Sequence, residues 1–254
     1  MPHYLSGIIL NQGDRIMIDK MVGKTEVALY GLAYSIGMLV QLFISGMNSA
    51  LTPWMYSKIK KGDIRSMRKV LQLLSVVVVG IAVALMLISP ELVLIFGSPK
   101  YREAVYVIPP VAASVFFIFI YNILSMPQFY YEKTQFLMAA SMAAAGANVV
   151  LNFIFIRLFG YIAAGYTTLA CYMLYSVGHY IVSKRILVNE GIQENLMSPG
   201  FLVACSVFLI GASIICNLIF PYRILRYAIL LASAGLVFWK KELLLKTMAD
   251  IRKK

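Results

Sequence analysis

An all-α, polytopic membrane bundle of about eight spans follows from three features of this sequence: long apolar stretches, polar residues striped along them at helical spacing, and a lopsided distribution of Lys and Arg. Of 254 residues, 61% are hydrophobic and 13% charged, and the mean hydropathy is +0.80. That is too apolar for a soluble domain of this length. Windows of about 20 residues place spans near 2–22, 27–51, 65–89, 104–131, 135–157, 161–184, 200–220 and 223–239.

The first span is expected to remain attached, because Asn11, Gln12, Asp14 and Arg15 interrupt the apolar run that a cleavable signal needs. Thr25 is positioned to cap the second helix, Asp63 the third and Ser198 the seventh, where Pro199 suits the first helical position. Ser89, Pro90 and Glu91 read as the opening of a short helical turn closed by Gly97, an ordered cap over 89–101. Pro109, Pro110 and Pro127 lie near the two ends of the fourth span and predict bending, either around a cavity or for packing alone. Ala139, Ala140, Ser141, Ala143, Ala144, Ala145, Gly146 and Ala147 make the fifth span a close-packing seam.

Fifteen Lys and Arg fall in one set of alternate loops and the C-terminal tail, seven in the other set, and Arg15 within a span. The basic side, with both termini, is therefore expected to be cytoplasmic. The net charge of +12 does not point to nucleic acid, since the cations sit between apolar blocks with no basic patch interleaved with aromatics. Cys171, Cys205 and Cys216 lie inside spans without metal-ligand spacing, so buried free thiols are expected and no metal or other cofactor. No Ser/His/Asp set, phosphate loop or metal cluster supports catalysis.

The polar stripes carry the functional argument. Asn11, Arg15 and Asp19 recur every four residues and Asp14 lies three from Asn11, clustering these groups on one side of the first helix. Arg15 and Asp19 are spaced to pair. Holding Arg15 within a span costs about 2.5–3.5 kcal/mol on insertion scales. Either it faces a wet cavity, offering its planar fork to an anionic substrate, or Asp14, Arg15 and Asp19 lie near the surface and snorkel. The second span carries Tyr30, Tyr34, Gln41, Ser45, Asn48 and Thr52 on one face, the fourth Ser114, Tyr121, Ser125, Gln128 and Glu132, and the sixth Thr168, Tyr172, Ser176, His179 and Ser183. Together they could surround one aromatic-lined lumen suited to sugars; singly, each could be spent on interhelical hydrogen bonds. His179 could titrate in a proton-coupled cycle, with a structural hydrogen bond as the plainer role. Asn148 and Asn152 are spaced to bridge helices.

Several strings carry a family resemblance. Pro2-His3-Tyr4-Leu5-Ser6, Asp14-Arg15-Ile16-Met17-Ile18, Val27-Ala28-Leu29-Tyr30, and Asn48 with Pro53, Trp54 and Tyr56 resemble the first two helices of the C-terminal lobe of O-antigen-type polysaccharide flippases. Asn148, Asn152, Phe159-Gly160-Tyr161 and Ala163-Ala164-Gly165 with Thr167 and Thr168 are similar to that family's fifth-to-sixth helix junction, although the small residues there more often run Gly, Ala, Ala. The resemblance spans roughly residues 1–185.

It implies half of a two-lobe transporter of the multidrug, oligosaccharidyl-lipid and polysaccharide exporter superfamily. Residues 1–186 would be a six-helix lobe, and 187–254 two additional helices with a basic cytoplasmic tail. The implied function is alternating-access transfer of undecaprenyl-diphosphate-linked oligosaccharide across a bacterial inner membrane, for O-antigen or lipopolysaccharide assembly. Arg15 would meet the diphosphate; Asp14, Asn11, Asp19, Tyr30, Tyr34, Gln41, Asn48, Tyr121, Gln128, Tyr172 and His179 would line the lumen. The implied partners are the lipid-linked oligosaccharide, membrane lipids, and an N-terminal lobe encoded upstream of Met1 or supplied by another chain. The rivals are a cation-coupled drug exporter with Asp14 as ion-binding carboxylate, and a degenerate fragment that only pairs with other helices.

Overall fold

The computed structural model describes the backbone of residues 2–239 and the side chains of residues 12–233. Among the described residues, nine α-helices and one 3-10 helix follow one another: α1 (Pro2–Met21), α2 (Lys24–Gly37), α3 (Leu39–Lys60), α4 (Ile64–Phe96), the 3-10 helix (Pro99–Tyr106), α5 (Ile108–Tyr130), α6 (Gln135–Phe159), α7 (Ala163–Asn189), α8 (Pro199–Ile219) and α9 (Arg223–Trp239). Helix occupies every place where a span is expected. Among the described residues, five stretches, Lys24–Lys60, Ile64–Phe96, Ile108–Tyr130, Gln135–Phe159 and Pro199–Ile219, are long and apolar enough to cross a membrane. In α1 and α7 inward-facing polar rows dilute the apolar signal; both hold buried polar side chains against neighbouring helices.

α5 is the axis of the bundle. Val111–Ile120 are buried on every side, against α7 above all and against α2, α3, α4 and α8, which is why this helix is apolar all round. α6 and α8 lie outside it and bury one face each. The other face presents Val150, Phe153, Leu158, Val203, Val207 and Leu218 outward, as a hydrocarbon environment demands. On α6 the buried side is Ser141, Ala144, Ala145, Asn148 and Asn152, while Ala139, Ala143 and Gly146 face out. Only part of the small-residue run is a seam.

Several local expectations are revised. The second span is two helices, because regular hydrogen bonding lapses at Met38. Gly37 ends α2 where a Cβ would lie 2.6 Å from Val111 Cγ1, so the break coincides with α2 pressing directly on α5. Thr25 lies inside α2; its N-cap residue is Gly23, with no side-chain bond. Asp63 does cap α4, accepting from the Ser66 N–H at 3.3 Å. Ser198 precedes Pro199 at the start of α8 but its hydroxyl makes no capping bond. α4 runs through Ser89, Pro90 and Glu91 to Phe96; the Ser89 hydroxyl bonds back to the Met86 carbonyl at 2.8 Å, and the ordered cap is the following 3-10 turn. Pro109 and Pro110 occupy the first turn of α5, where no backbone donor is lost. Only Pro127 is internal there.

The loop after α7 begins at Glu190, so α7 runs three residues beyond the 186/187 division. α9 is fastened to α4 by Arg226, whose guanidinium donates to both Glu91 oxygens at 2.8 Å and to the Leu87 carbonyl at 2.6 Å. Cys171 and Cys216 are buried and Cys205 partly so, all as free thiols.

Candidate functional site: a buried carboxylate beside a half-open arginine

Asp14 sits two-thirds along α1 on the face that packs against α6, and its side chain is wholly buried. A carboxylate removed from water must have its lone pairs satisfied. Three helices do so. Tyr30 of α2 donates to Oδ2 at 2.5 Å, Thr168 of α7 to the same oxygen at 2.7 Å, and Asn152 of α6 to Oδ1 at 2.5 Å. The Asn152 amide also donates to Asn148 Oδ1 at 3.1 Å and accepts from the Thr167 hydroxyl. Asn148 in turn donates to Thr168 Oγ1 at 3.4 Å. Six polar side chains from α1, α2, α6 and α7 thus close on one another, with Asp14, Tyr30, Asn148, Asn152 and Thr168 at 0% exposure. The donors are all neutral. Among the described residues the ion pairs are Lys58–Asp63 and Arg226–Glu91, neither at this site.

Arg15 is one residue on and therefore about 100° round the helix. It leaves the cluster and crosses α2 beside Gly31, where a Cβ would lie 4.0 Å from its guanidinium carbon. That carbon is 5.5 Å from the Tyr34 ring centroid, a cation–π contact worth about 0.5–1 kcal/mol where exposed. Arg15 is half-buried, and its Nε lacks a hydrogen-bond partner among the described residues. The expected Arg15–Asp19 pair does not form: Asp19 is exposed. Spacing put the two within reach, but the tyrosine face of α2 offers Arg15 a desolvating contact that an outward Asp19 cannot. The side chain of Asn11 lies outside the described residues.

The remaining lumen candidates divide. Tyr121 and Tyr172 stack at 6.3 Å between ring centroids, Tyr175 approaches Tyr121 at 4.7 Å and His179 at 4.5 Å, and Gln128 Nε2 donates to His179 Nδ1 at 2.8 Å. This nest belongs to the α5–α7 seam. Tyr30 belongs to the Asp14 cluster and Tyr34 to Arg15. Gln41 and Asn48 lie half-buried on α3, beyond the break at Met38, where their carbonyls accept from Ser45 and Thr52. Ser114 and Ser125 likewise bond to their own helix backbone, and Glu132 is exposed in the turn after α5. Among the described residues, the polar groups thus fall into the Asp14 cluster, the Arg15–Tyr34 contact and the Tyr121–Tyr172 nest, the first two adjoining through Tyr30 and Tyr34 at 5.8 Å between ring centroids. Apolar cavities lie elsewhere, among them one of about 580 Å³ along α6 and α7 over Phe155, Phe159 and Tyr166, and one of about 170 Å³ among α5, α7 and α8.

Sequence reading assigned Asn148 and Asn152 to helix bridging, which they do, but it missed that they enclose Asp14. The four-residue repeat of amides facing a lone intramembrane aspartate was the available signal. Thr167 stood in the string that carries the family resemblance, but its bond to Asn152 depends on how α7 meets α6. Among the described residues, no group of three or more His, Cys, Asp or Glu could hold a metal ion.

The chain is similar to known membrane proteins over about half of its length. It is 31% identical over 134 residues to an uncharacterized membrane protein of Haemophilus influenzae, covering 50% of this chain and 32% of that one. It is 28% identical over 148 residues to Lsg locus putative protein 1 of the same organism, covering 55% and 35%. The chain thus matches about a third of the length of these relatives. No solved structure matches it. The MatE family matches residues 5–154, a segment that contains α2 to α5 entire, Asp14, Arg15 and both bridging asparagines, and the chain belongs to that family of membrane transporters.

Proposed function

We propose that this chain supplies one lobe of a flippase that carries a diphosphate-linked oligosaccharide lipid across a bacterial inner membrane by alternating access, for polysaccharide assembly. The observation behind the reading is Arg15: a half-buried cation on α1, steadied against Tyr34, whose Nε has no hydrogen-bond partner among the described residues. A guanidinium so placed offers a planar fork to phosphate oxygens. Residues 1–186 form the lobe in this reading and 187–254 the added helices, with the basic loops cytoplasmic. Alternating access needs a second lobe to rock against, so the polar residues of α1 to α3 left open here would face that partner.

The test is Arg15→Ala in the transporter assembled with its other half, in a strain whose surface polysaccharide depends on it. Polymer should disappear at unchanged protein level, and Arg15→Lys should restore part of it. Normal polymer in Arg15→Ala rejects the role.

A second reading, cation-coupled export of small molecules, is favoured by the Asp14 cluster. A buried carboxylate held only by neutral donors is a site whose hydrogen bonding must reorganise when a proton or cation arrives. Asp14→Asn would then abolish efflux of cationic dyes and leave polysaccharide untouched; loss of polysaccharide without any dye phenotype excludes it.

A further inference from the structure

The smaller cavity opens between α7 and α8 toward the membrane. Its walls are Phe117, Ile120, Met173, Leu202 and, at the mouth, Val177 and Val203, which are 55% and 61% exposed. Two of its serines are spent: Ser176 donates to the Phe117 and Tyr172 carbonyls and Ser206 to the Leu202 carbonyl. The Tyr180 hydroxyl is different. It is buried in the wall and has no hydrogen-bond partner among the described residues.

The same end of the groove is cationic. Pro199 forms its rim, and just before it Arg68 Nε donates to the Asn195 carbonyl at 2.6 Å, pinning the start of α4 against the loop that leads into α8. Arg68 is near enough to Tyr180 to act electrostatically on its hydroxyl. The loops on this side, 58–69, 130–135 and 184–198, carry nine Lys and Arg against four Asp and Glu. A narrow apolar slot that ends at an orphan phenol, with an arginine bound to the loop that leads to its rim, on the basic side of a membrane bundle, matches one chemistry: an acyl chain joined to an anionic headgroup.

We propose that the α5–α7–α8 groove holds an acyl chain of an anionic phospholipid, with Arg68 and Tyr180 meeting its phosphate. The lipid would fill the gap between α5, α7 and α8, tying α8 to the rest of the bundle. This inference does not depend on what the transporter carries.

The full chain, reconstituted in nanodiscs of equal phosphatidylglycerol and phosphatidylcholine and then extracted in mild detergent, is analysed for retained lipid by mass spectrometry. Phosphatidylglycerol should be enriched on the wild type. Arg68→Gln should cut that enrichment about fivefold, the weight of one interfacial cation, whereas Arg68→Lys keeps most of it. Arg65→Gln, which removes an exposed cation one turn away, should leave it unchanged. Val203→Trp, at an exposed position that leaves the fold intact, should abolish it by blocking the slot with Arg68 still present. Equal retention of the two lipids by the wild type overturns the proposal. So does a loss in Arg65→Gln as large as in Arg68→Gln, enrichment that survives Val203→Trp, or displacement of the lipid preference by inorganic phosphate alone.

Discussion

Asp14 and Asp63 show how differently one residue type behaves in two settings. Asp14 has its acceptors filled by Tyr30, Thr168 and Asn152 in a fully buried cluster. Truncation to Ala leaves those donors facing nothing, at about 1–3 kcal/mol per stranded group. Asp14→Ala should therefore lower the unfolding midpoint in detergent far more than Asp14→Asn, which retains one acceptor oxygen; equal midpoints would show that the cluster is not structural glue. Asp63 lies at the membrane edge, where hydrogen bonds from Lys58, at 2.6 Å, and from Ser66 hold its carboxyl down at about 2. A carboxylate held below its ordinary value adds stability that is complete above about pH 4 and drains away as the pH falls through about 2. Asp63→Ala should cost about 0.5–2 kcal/mol as a lost helix cap. The gap between wild type and variant in thermal unfolding should be open at pH 6, narrow as the pH falls toward 2 and close only below it.

At the scale of elements, two contacts decide how helices meet. α2 reaches α5 only because residue 37 has no side chain: a Cβ there would sit 2.6 Å from Val111 Cγ1 and 2.9 Å from its Cβ. Gly37→Ala should cost about 1–3 kcal/mol by overpacking, and Val111→Ala in the same chain should recover part of that loss. α9 is held by the forked Arg226–Glu91 bond, with Tyr227 donating to Glu91 at 3.0 Å. Glu91 is a quarter exposed, so Glu91→Gln should cost less than the about 3–5 kcal/mol of a wholly buried pair. Amide exchange should then rise in α9 and stay unchanged in α1 and α5; uniform exchange across the chain would mean that α9 is held by its apolar face instead. Neither contact was legible beforehand. Gly37 looked like any glycine within a span, and Glu91 and Arg226 lie 135 residues apart, beyond any periodic signal.

Over the whole molecule, the all-helical bundle was written in the amino-acid order, since hydrocarbon admits few backbones besides a helix and leaves long apolar runs as its trace. The MatE family was legible too, through Asp14-Arg15 and the spaced asparagines, whereas the polysaccharide-flippase branch rests on resemblance and belongs to the proposal. What periodicity could not reveal was the partner of each polar row. Four stripes suggested one wet chamber. Among the described residues, the folded chain joins Asp14, Asn148, Asn152 and Thr168 in one buried cluster and Tyr121, Tyr172 and His179 in a seam, while Arg15 lies half-buried on Tyr34. Helical spacing fixes the angle at which a side chain leaves its own axis, and one sequence sufficed for that. Which neighbour meets the side chain depends on how helices distant along the chain are brought together, and only the tertiary structure decided it.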